Sequence, residues 1–223
     1  MNQVTCTFQS LQGDKNLNYL LFLPKDYPNG QGKKWPLIFF LHGGDERGDN
    51  IELLKRHGIP KLVEYKLNFP FVTVSPQIPS RLTWTVYLPS LIELLDSVLN
   101  WLAIDRDRVY LTGLSMGGFA AWHLAAKYPH YFAAIAPICG GGLASEGFPR
   151  RVRRLKDTPV WAFHGQFDDI VPPEESEKLV NELNSCGGNV KFTLYCSLGH
   201  DCWTRTYNNP ALYHWFLSHR RPE

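Results

Sequence analysis

Residues 109–118 of the chain read Val109-Tyr110-Leu111-Thr112-Gly113-Leu114-Ser115-Met116-Gly117-Gly118. The first four residues favour a β-strand, and the following Phe-Ala-Ala-Trp-His-Leu-Ala-Ala-Lys at 119–127 has the composition of a helix. Between them lies a G-x-S-x-G pattern, which is typical of a sharp turn from a strand into a helix. The stretch therefore predicts a strand, a tight turn with Ser115 at its tip, and a helix.

The flanking glycines point to a nucleophilic role for this serine. A side chain at Gly113 or Gly117 would collide with the neighbouring strand or helix, because the serine occupies a strained backbone conformation. The following helix offers free N–H groups and the positive end of its dipole beside the Ser115 hydroxyl. We interpret Ser115 as a nucleophile and the N–H of Met116 as a donor to developing negative charge. A lone G-x-S-x-G is weak evidence, so this interpretation depends on the strand before it and the helix after it.

Length and charge set limits on the class of protein. The chain has 223 residues without an evident linker, repeat or low-complexity run, so we predict a single domain over residues 1–223. A net charge of +2 with 20% charged residues favours neither nucleic acid nor an anionic membrane as a partner. The longest purely apolar run, residues 37–41, is far shorter than the roughly 20 residues that span a bilayer.

The N-terminus and the cysteines bear on the compartment. No basic segment followed by an apolar core opens the chain, so we expect a cytoplasmic protein by default, with the mature domain of a secreted protein as the alternative. The five cysteines are an odd number without C-x-x-C spacing, which favours buried thiols over a disulfide framework or a zinc site. The oligomeric state has no signature in the sequence.

Strands and helices alternate from Leu37 onward, which predicts a mostly parallel, doubly wound α/β sheet flanked by helices. The buried strand at 37–41 runs into His-Gly-Gly-Asp-Glu-Arg-Gly at 42–48. A Gly-rich turn directly after such a strand leaves backbone N–H groups unpaired, so Gly44 is a second candidate donor to an oxyanion. Glu46 and Arg47 are expected to pin this loop by ion pairing and hydrogen bonds.

A serine nucleophile needs a base and an acid, and two later strand ends supply candidates. Asp168 and Asp169 follow the predicted strand at 160–163, and His200 follows the last strand. His164 lies at a strand end, where an imidazole more often makes a hydrogen bond that holds a loop. We therefore favour His200 as the base. The spacing alone leaves Asp168 and Asp169 as alternatives for the acid.

Three residues near these loops are candidates for contact with substrate. Gln77 ends the strand that follows the Gly-rich loop in the chain, and Trp84 lies on the connection to the next helix, where α/β folds place ligand-contacting loops. Trp203 directly follows the candidate base. Packing of the loop by Trp84 and burial of Trp203 in the core are the alternatives.

Three motifs occur in a fixed order, at 111–119 (Leu-Thr-Gly-Leu-Ser-Met-Gly-Gly-Phe), 164–172 (His-Gly-Gln-Phe-Asp-Asp-Ile-Val-Pro) and 199–203 (Gly-His-Asp-Cys-Trp). In this order they resemble the α/β-hydrolase esterases related to phospholipase/carboxylesterases, feruloyl esterases and polyhydroxyalkanoate depolymerases, including a prolyl oligopeptidase-like branch. The resemblance covers nearly the whole chain. It implies an α/β-hydrolase fold without a large lid domain, and it implies that Asp168 is the acid. Where the family has H-G-x-G-E-R-G, this chain has Asp45 at the second glycine.

The resemblance also implies an activity. Ser115 would attack an ester carbonyl with His200 as the base, the N–H groups of Gly44 and Met116 would hold the oxyanion, and neither a metal nor an organic cofactor would be required. A bare core suits short-chain or aryl esters, with feruloyl and acetyl groups as candidates, in a small molecule or linked to a polysaccharide. A serine peptidase is the alternative activity. A non-catalytic binding module and a metallohydrolase are further hypotheses, which the complete set of candidate residues and the lack of metal-ligand spacing disfavour.

Overall fold

A computed structural model of the protein describes residues 3–11, 15–28, 32–66 and 68–221. Its strands form one eight-stranded sheet in the order β1-β2-β4-β3-β5-β6-β7-β8. The pairs β1–β2 and β2–β4 are antiparallel, and the other neighbours are parallel. The strands are β1 (Gln3–Phe8), β2 (Leu17–Phe22), β3 (Trp35–Leu41), β4 (Val72–Gln77), β5 (Ile104–Leu114), β6 (Ala134–Ile138), β7 (Val160–Gly165) and β8 (Val190–Tyr195).

Helices cover both faces of the sheet, which confirms the predicted doubly wound architecture. They are α1 (Gly58–Tyr65), α2 (Leu88–Trp101), α3 (Met116–Lys127), α4 (Glu174–Ser185), α5 (Trp203–Tyr207) and α6 (Pro210–Leu217), together with 3-10 turns at Ile51–Arg56, Trp84–Tyr87, Pro129–Tyr131, Ala144–Glu146 and Arg150–Leu155. In the part of the chain that the structure describes, no connection forms a separate lid domain. Within the same residues, every helix falls short of the length and apolar character that a bilayer crossing requires.

The central strand β3 shows why the apolar run at 37–41 is continuous. Every residue of β3 is buried. Leu37 and Phe39 pack into a cluster with residues of α2, α3 and α4, whereas Ile38 and Phe40 pack into a second cluster with residues of α1 and α6. Successive side chains of a strand point to opposite faces, so a strand covered by helices on both sides must be apolar throughout.

The first strand, β1, has no counterpart in the predicted elements. It lies at the edge of the sheet and pairs with β2 alone, and most of its side chains are exposed or half-buried. A strand that buries little apolar surface carries little hydrophobic periodicity, so the local sequence Gln-Val-Thr-Cys-Thr-Phe gives a weak signal.

The parallel strands bring four loops to one edge of the sheet. Leu41 pairs with Gly113, and Gly165 pairs with Tyr195, so β3 ends level with β5 and β7 ends level with β8. The carboxyl ends of parallel strands point in the same direction, and ligand sites in such sheets form outside these ends. The loops after β3, β5, β7 and β8 therefore meet there.

Candidate active site

Ser115 occupies the strained turn that the sequence predicts. Its backbone lies at φ 52° and ψ −119°, a conformation that side chains rarely adopt. A Cβ at Gly113 would collide with the carbonyl of Gly117, and a Cβ at Gly117 would collide with the carbonyl of Leu41. Glycine at both positions is therefore a condition for the close approach of β5, α3 and β3. The Ser115 N–H donates to the carbonyl of Ile138, 3.0 Å away, which ties the turn to β6.

A continuous chain of hydrogen bonds joins Ser115, His200 and Asp168. His200 Nε2 lies 2.9 Å from Ser115 Oγ, and His200 Nδ1 lies 2.7 Å from Asp168 Oδ2. Because the ionised carboxylate can only accept, the imidazole proton resides on Nδ1, and Nε2 is left to accept from the serine hydroxyl. The Asp168 side chain is fully buried, whereas the neighbouring Asp169 is exposed.

The buried carboxylate of Asp168 accepts four hydrogen bonds. Oδ1 accepts from the N–H groups of Ile170 and Val171, at 3.0 and 2.9 Å. Oδ2 accepts from His200 and also from His164 Nε2, at 3.1 Å. A buried charge without such partners would be costly, so these four donors allow an ionised carboxylate to stay inside the protein. They also fix its direction, which turns Oδ2 toward His200.

His164 makes the loop hydrogen bonds expected of it. Its Nε2 faces two acceptors, Asp168 Oδ2 and the Val171 carbonyl at 2.9 Å, and therefore carries a proton. Burial lowers the pKa of His164, and its Nδ1 lies 2.8 Å from the hydroxyl oxygen of Ser176, which donates its own proton to the carbonyl of Gly140. This imidazole therefore links Asp168 to Val171 within the loop after β7.

The loop at 42–48 has its carbonyl groups held by side chains. His42 Nδ1 donates to the Gly43 carbonyl at 2.6 Å, and Arg47 Nε donates to the Gly44 carbonyl at 2.8 Å. In a trans peptide the N–H points away from the preceding carbonyl, so the Gly44 N–H points away from His42. Among the described residues, neither the Gly44 N–H nor the Met116 N–H donates to a protein acceptor. Both are therefore available to a ligand.

The two acidic residues of this loop have different environments. Asp45 is exposed and does not have a positive φ, so an aspartate at the family's glycine position introduces no backbone strain. Glu46 is buried, and burial raises its pKa. The nearest basic group is His57 Nε2, 3.8 Å from Oε1, and burial lowers the pKa of that histidine. Arg47 has no ion-pair partner among the described residues, so the expected ion pairing is wrong for Arg47, which instead donates to the carbonyl groups of Gly44 and Leu82.

A cavity of about 330 Å³ opens at Ser115. Trp84 lines it and is also buried, with its Nε1 donating to the His42 carbonyl at 3.0 Å. Trp84 thus both packs the loop and forms part of the cavity wall. The remaining lining residues are Thr83, Thr85, Met116, Phe119, Ala120, His123, Leu143 and Val171. Those from α3 follow an i, i+3, i+4, i+7 spacing from Met116, so the helical period of the sequence would have indicated them.

The other two predicted substrate contacts lie elsewhere. Trp203 packs edge-on against the ring of His200, with 5.1 Å between centroids, and lines a separate cavity of about 170 Å³. Gln77 is buried, and its Nε2 donates to the carbonyls of Glu46 and Asn50, each at 2.8 Å. The prediction that Gln77 binds substrate is therefore corrected: its amide supports the loop at 42–48 from behind and does not line the cavity.

One group of side chains has the spacing of metal ligands. Among the described residues, Cys139, Asp168 and His200 hold potential ligand atoms within 4.8 Å of one another. Burial raises the pKa of the Cys139 thiol well above its usual value, which disfavours the thiolate that a metal requires. Asp168 and His200 already bond to each other. The three residues therefore fit a hydrogen-bonded network better than a metal centre.

The strand order and the site at the carboxyl edge of the sheet define an α/β-hydrolase fold. The chain belongs to the phospholipase/carboxylesterase family, whose sequence model matches residues 69–210. It is 46% identical over 128 residues to poly(3-hydroxyalkanoate) depolymerase C of Paucimonas lemoignei, covering 52% of this chain and 30% of that protein. It is 25% identical over 197 residues to a bifunctional acetylxylan esterase/xylanase of Neocallimastix patriciarum, covering 84% of this chain and 27% of that protein. The chain thus spans less than a third of the length of either relative.

Solved structures show the same fold. A thermostable esterase superposes with a TM-score of 0.87 and 33% identity, over 99% of this chain and 64% of that one. A feruloyl esterase module from Clostridium thermocellum, complexed with sinapinate, superposes with a TM-score of 0.70 and 17% identity, over 92% of this chain and 84% of that one. With the family assignment, these comparisons show that the chain has the α/β-hydrolase fold of the phospholipase/carboxylesterase family.

Proposed function

We propose that the protein hydrolyses short-chain or aryl carboxylic esters with Ser115, His200 and Asp168 as a catalytic triad. The observation that carries this proposal is the unbroken path of hydrogen bonds from Ser115 Oγ through both ring nitrogens of His200 to Asp168 Oδ2. A serine hydroxyl is a weak nucleophile at neutral pH, and such a path supplies both the base and the group that orients it.

The first half of the reaction forms an acyl-enzyme. Ser115 Oγ attacks the ester carbonyl carbon while His200 Nε2 takes the hydroxyl proton. The carbonyl oxygen becomes an oxyanion, which accepts from the free N–H groups of Gly44 and Met116. The N–H of Met116 lies at the positive end of the α3 dipole. When the tetrahedral intermediate collapses, the bond to the alcohol oxygen breaks, and His200 returns the proton to the departing alcohol.

The second half releases the acid. Water gives a proton to His200 Nε2 and attacks the acyl carbon, a second oxyanion forms at the same donors, and the bond to Ser115 Oγ breaks as that oxygen regains the proton. In both halves the imidazole becomes positively charged, and the buried Asp168 carboxylate stabilises it from the Nδ1 side. His164 and the N–H groups of Ile170 and Val171 keep that carboxylate in place.

The cavity at Ser115 supports a short-chain or aryl acyl group. Its volume of about 330 Å³ and its apolar wall of Trp84, Phe119 and Leu143 accommodate an acetyl group or a flat aromatic acid. The names of the acetylxylan esterase relative and of the feruloyl esterase module specify esters of acetyl and feruloyl groups, respectively. We therefore include acetyl and feruloyl esters, free or linked to a polysaccharide, among the proposed substrates.

Hydrolysis of a matched ester and amide tests this function. Wild-type protein is expected to turn over p-nitrophenyl acetate and to leave an acyl-peptide p-nitroanilide nearly untouched, because an amide leaving group needs recognition and protonation of an amine. Ser115→Ala should lose ester turnover by several orders of magnitude while its thermal unfolding stays close to wild type. Faster cleavage of the amide would favour the alternative, a serine peptidase, and full ester activity in Ser115→Ala would reject the proposed nucleophile.

A further inference from the structure

The cavity at Ser115 follows one face of helix α3. Met116, Phe119, Ala120 and His123 line it, at the i, i+3, i+4 and i+7 positions that share a helical face. At a rise of 1.5 Å per residue, the seven steps from Met116 to His123 extend about 10 Å from the nucleophile. The lining along this path is mainly apolar, and its remote end carries an imidazole.

The hydrogen bonds of His123 decide where its proton lies. Burial lowers the pKa of His123 to about 4, so the ring is neutral at neutral pH. Nε2 lies 3.4 Å from the N–H of Leu143 and accepts from it, so the single ring proton resides on Nδ1. The ring also stacks on Phe148, with centroids 4.3 Å apart, which fixes its plane. His123 therefore presents one N–H donor in a defined direction.

That donor has no protein acceptor. Among the described residues, His123 Nδ1 makes no hydrogen bond, although the residue is only 3% exposed. Nδ1 itself is not fully buried and keeps some accessible surface. His123 lines the cavity at Ser115, and in the arrangement proposed below Nδ1 is directed at that cavity. An imidazole N–H in an apolar cavity is poorly placed unless a ligand brings an acceptor to it.

We propose that His123 is a specificity-determining residue, whose Nδ1–H donates to an oxygen carried at the remote end of an aryl acyl group bound at Ser115. This inference rests on the function proposed above. The matching substrates are esters of aromatic acids with a phenol or ether oxygen para to the acyl arm, such as 4-hydroxycinnamates. An acetyl group is too short to reach the donor, and an unsubstituted cinnamoyl group has no acceptor at that end.

Two esters that differ by one oxygen test the proposal. In wild-type protein we expect kcat/KM for methyl 4-hydroxycinnamate to exceed that for methyl cinnamate by about tenfold or more, the value of one hydrogen bond in a buried site. In His123→Leu, which removes the donor, the ratio should fall to about one. His130→Leu is the matched control, because His130 is exposed beyond the end of α3, and it should keep the wild-type ratio. Both esters use the same hydrolytic groups, so general damage to a variant cancels in the ratio.

A binding measurement keeps this test separate from the proposed hydrolysis. Ser115→Ala protein, titrated calorimetrically with the two esters, should bind the hydroxylated one more tightly, and adding His123→Leu should remove the difference. A wild-type ratio near one, a ratio that survives His123→Leu, or equal binding of the two esters to Ser115→Ala would overturn the role of His123. Failure of the hydrolytic proposal would instead appear as no turnover of p-nitrophenyl acetate by wild-type protein.

Discussion

Replacing Asp168 with Asn changes the chemistry of the proposed triad with little change in shape. Asp168 accepts at both oxygens, from two backbone N–H groups at Oδ1 and from two imidazoles at Oδ2. The amide of Asn has one oxygen. If that oxygen keeps the bonds to Ile170 and Val171, the NH₂ group faces His200 Nδ1. The ring of His200 must then place its proton on Nε2, where it points at Ser115 Oγ and cannot accept.

The expected loss follows from this change of tautomer. An Asp-to-Asn change in a serine protease triad lowers kcat by about 10⁴, which at 1.36 kcal/mol per decade is about 5.4 kcal/mol of lost transition-state stabilisation. We expect a comparable fall in kcat for Asp168→Asn, with KM little changed, in initial rates of p-nitrophenyl acetate hydrolysis at neutral pH. Circular dichroism and thermal unfolding would establish that the variant is folded.

The neighbouring carboxylate provides the control. Asp169 is exposed, so Asp169→Asn should retain the wild-type rate. If Asp168→Asn kept activity within about tenfold of wild type, the orienting role of that carboxylate would be refuted. A large loss of activity in Asp169→Asn instead would indicate that Asp169, and not Asp168, is the acid of the triad.

Three other substitutions test separate parts of the structure. Gly117→Ala should lower the free energy of unfolding by about 3 kcal/mol or more in urea titration, because the new Cβ meets the backbone of Leu41, and a loss under about 1 kcal/mol would contradict the tight turn. His164→Leu removes one donor to the Asp168 carboxylate and should lower kcat 10- to 100-fold at constant KM in steady-state assays, whereas an unchanged kcat would show that this donor is dispensable. Burial raises the pKa of Glu46, so the folded state holds the carboxyl proton more tightly than the unfolded state does, and the stability of the wild-type protein should decline as pH rises above about 4.5. Glu46→Gln should lack this decline when urea midpoints are measured across pH. Parallel pH profiles for the two proteins would refute the prediction.

The arrangement of the fold around Ser115 could be predicted because it follows from local patterns. Apolar strands that alternate with helices require a parallel sheet, and a parallel sheet places all its carboxyl ends at one edge. Asp168 and His200 each follow a strand, so their loops had to meet the turn that carries Ser115. The glycines at that turn are likewise local, since the backbone of α3 approaches β3 closely at Gly117.

The direction of individual side chains could not be predicted from the same patterns. Residue spacing did not distinguish Asp168 from Asp169, because the backbone N–H groups of Ile170 and Val171 decide which carboxylate turns inward. Gln77 ends a strand at the edge of the sheet where the site lies, yet its amide nitrogen donates to the carbonyl groups of Glu46 and Asn50, which are distant in sequence. Such partners are set by tertiary packing.

The donor at His123 depends on contacts that are still more distant in sequence. Its position on the Ser115-facing side of α3 is readable from the helical period. The N–H of Leu143 that fixes its tautomer, and the ring of Phe148 that fixes its plane, come from the connection after β6. No local pattern reports their approach to α3.

Identification of the residue that becomes covalently modified tests the central claim most directly. Wild-type protein would be treated with a fluorophosphonate, digested and mapped by mass spectrometry, beside Ser115→Ala and His200→Ala. We expect one adduct, on Ser115, that is absent from Ser115→Ala and forms far more slowly in His200→Ala. An adduct on a different residue, or full modification of Ser115→Ala, would contradict the assignment of Ser115 as the nucleophile.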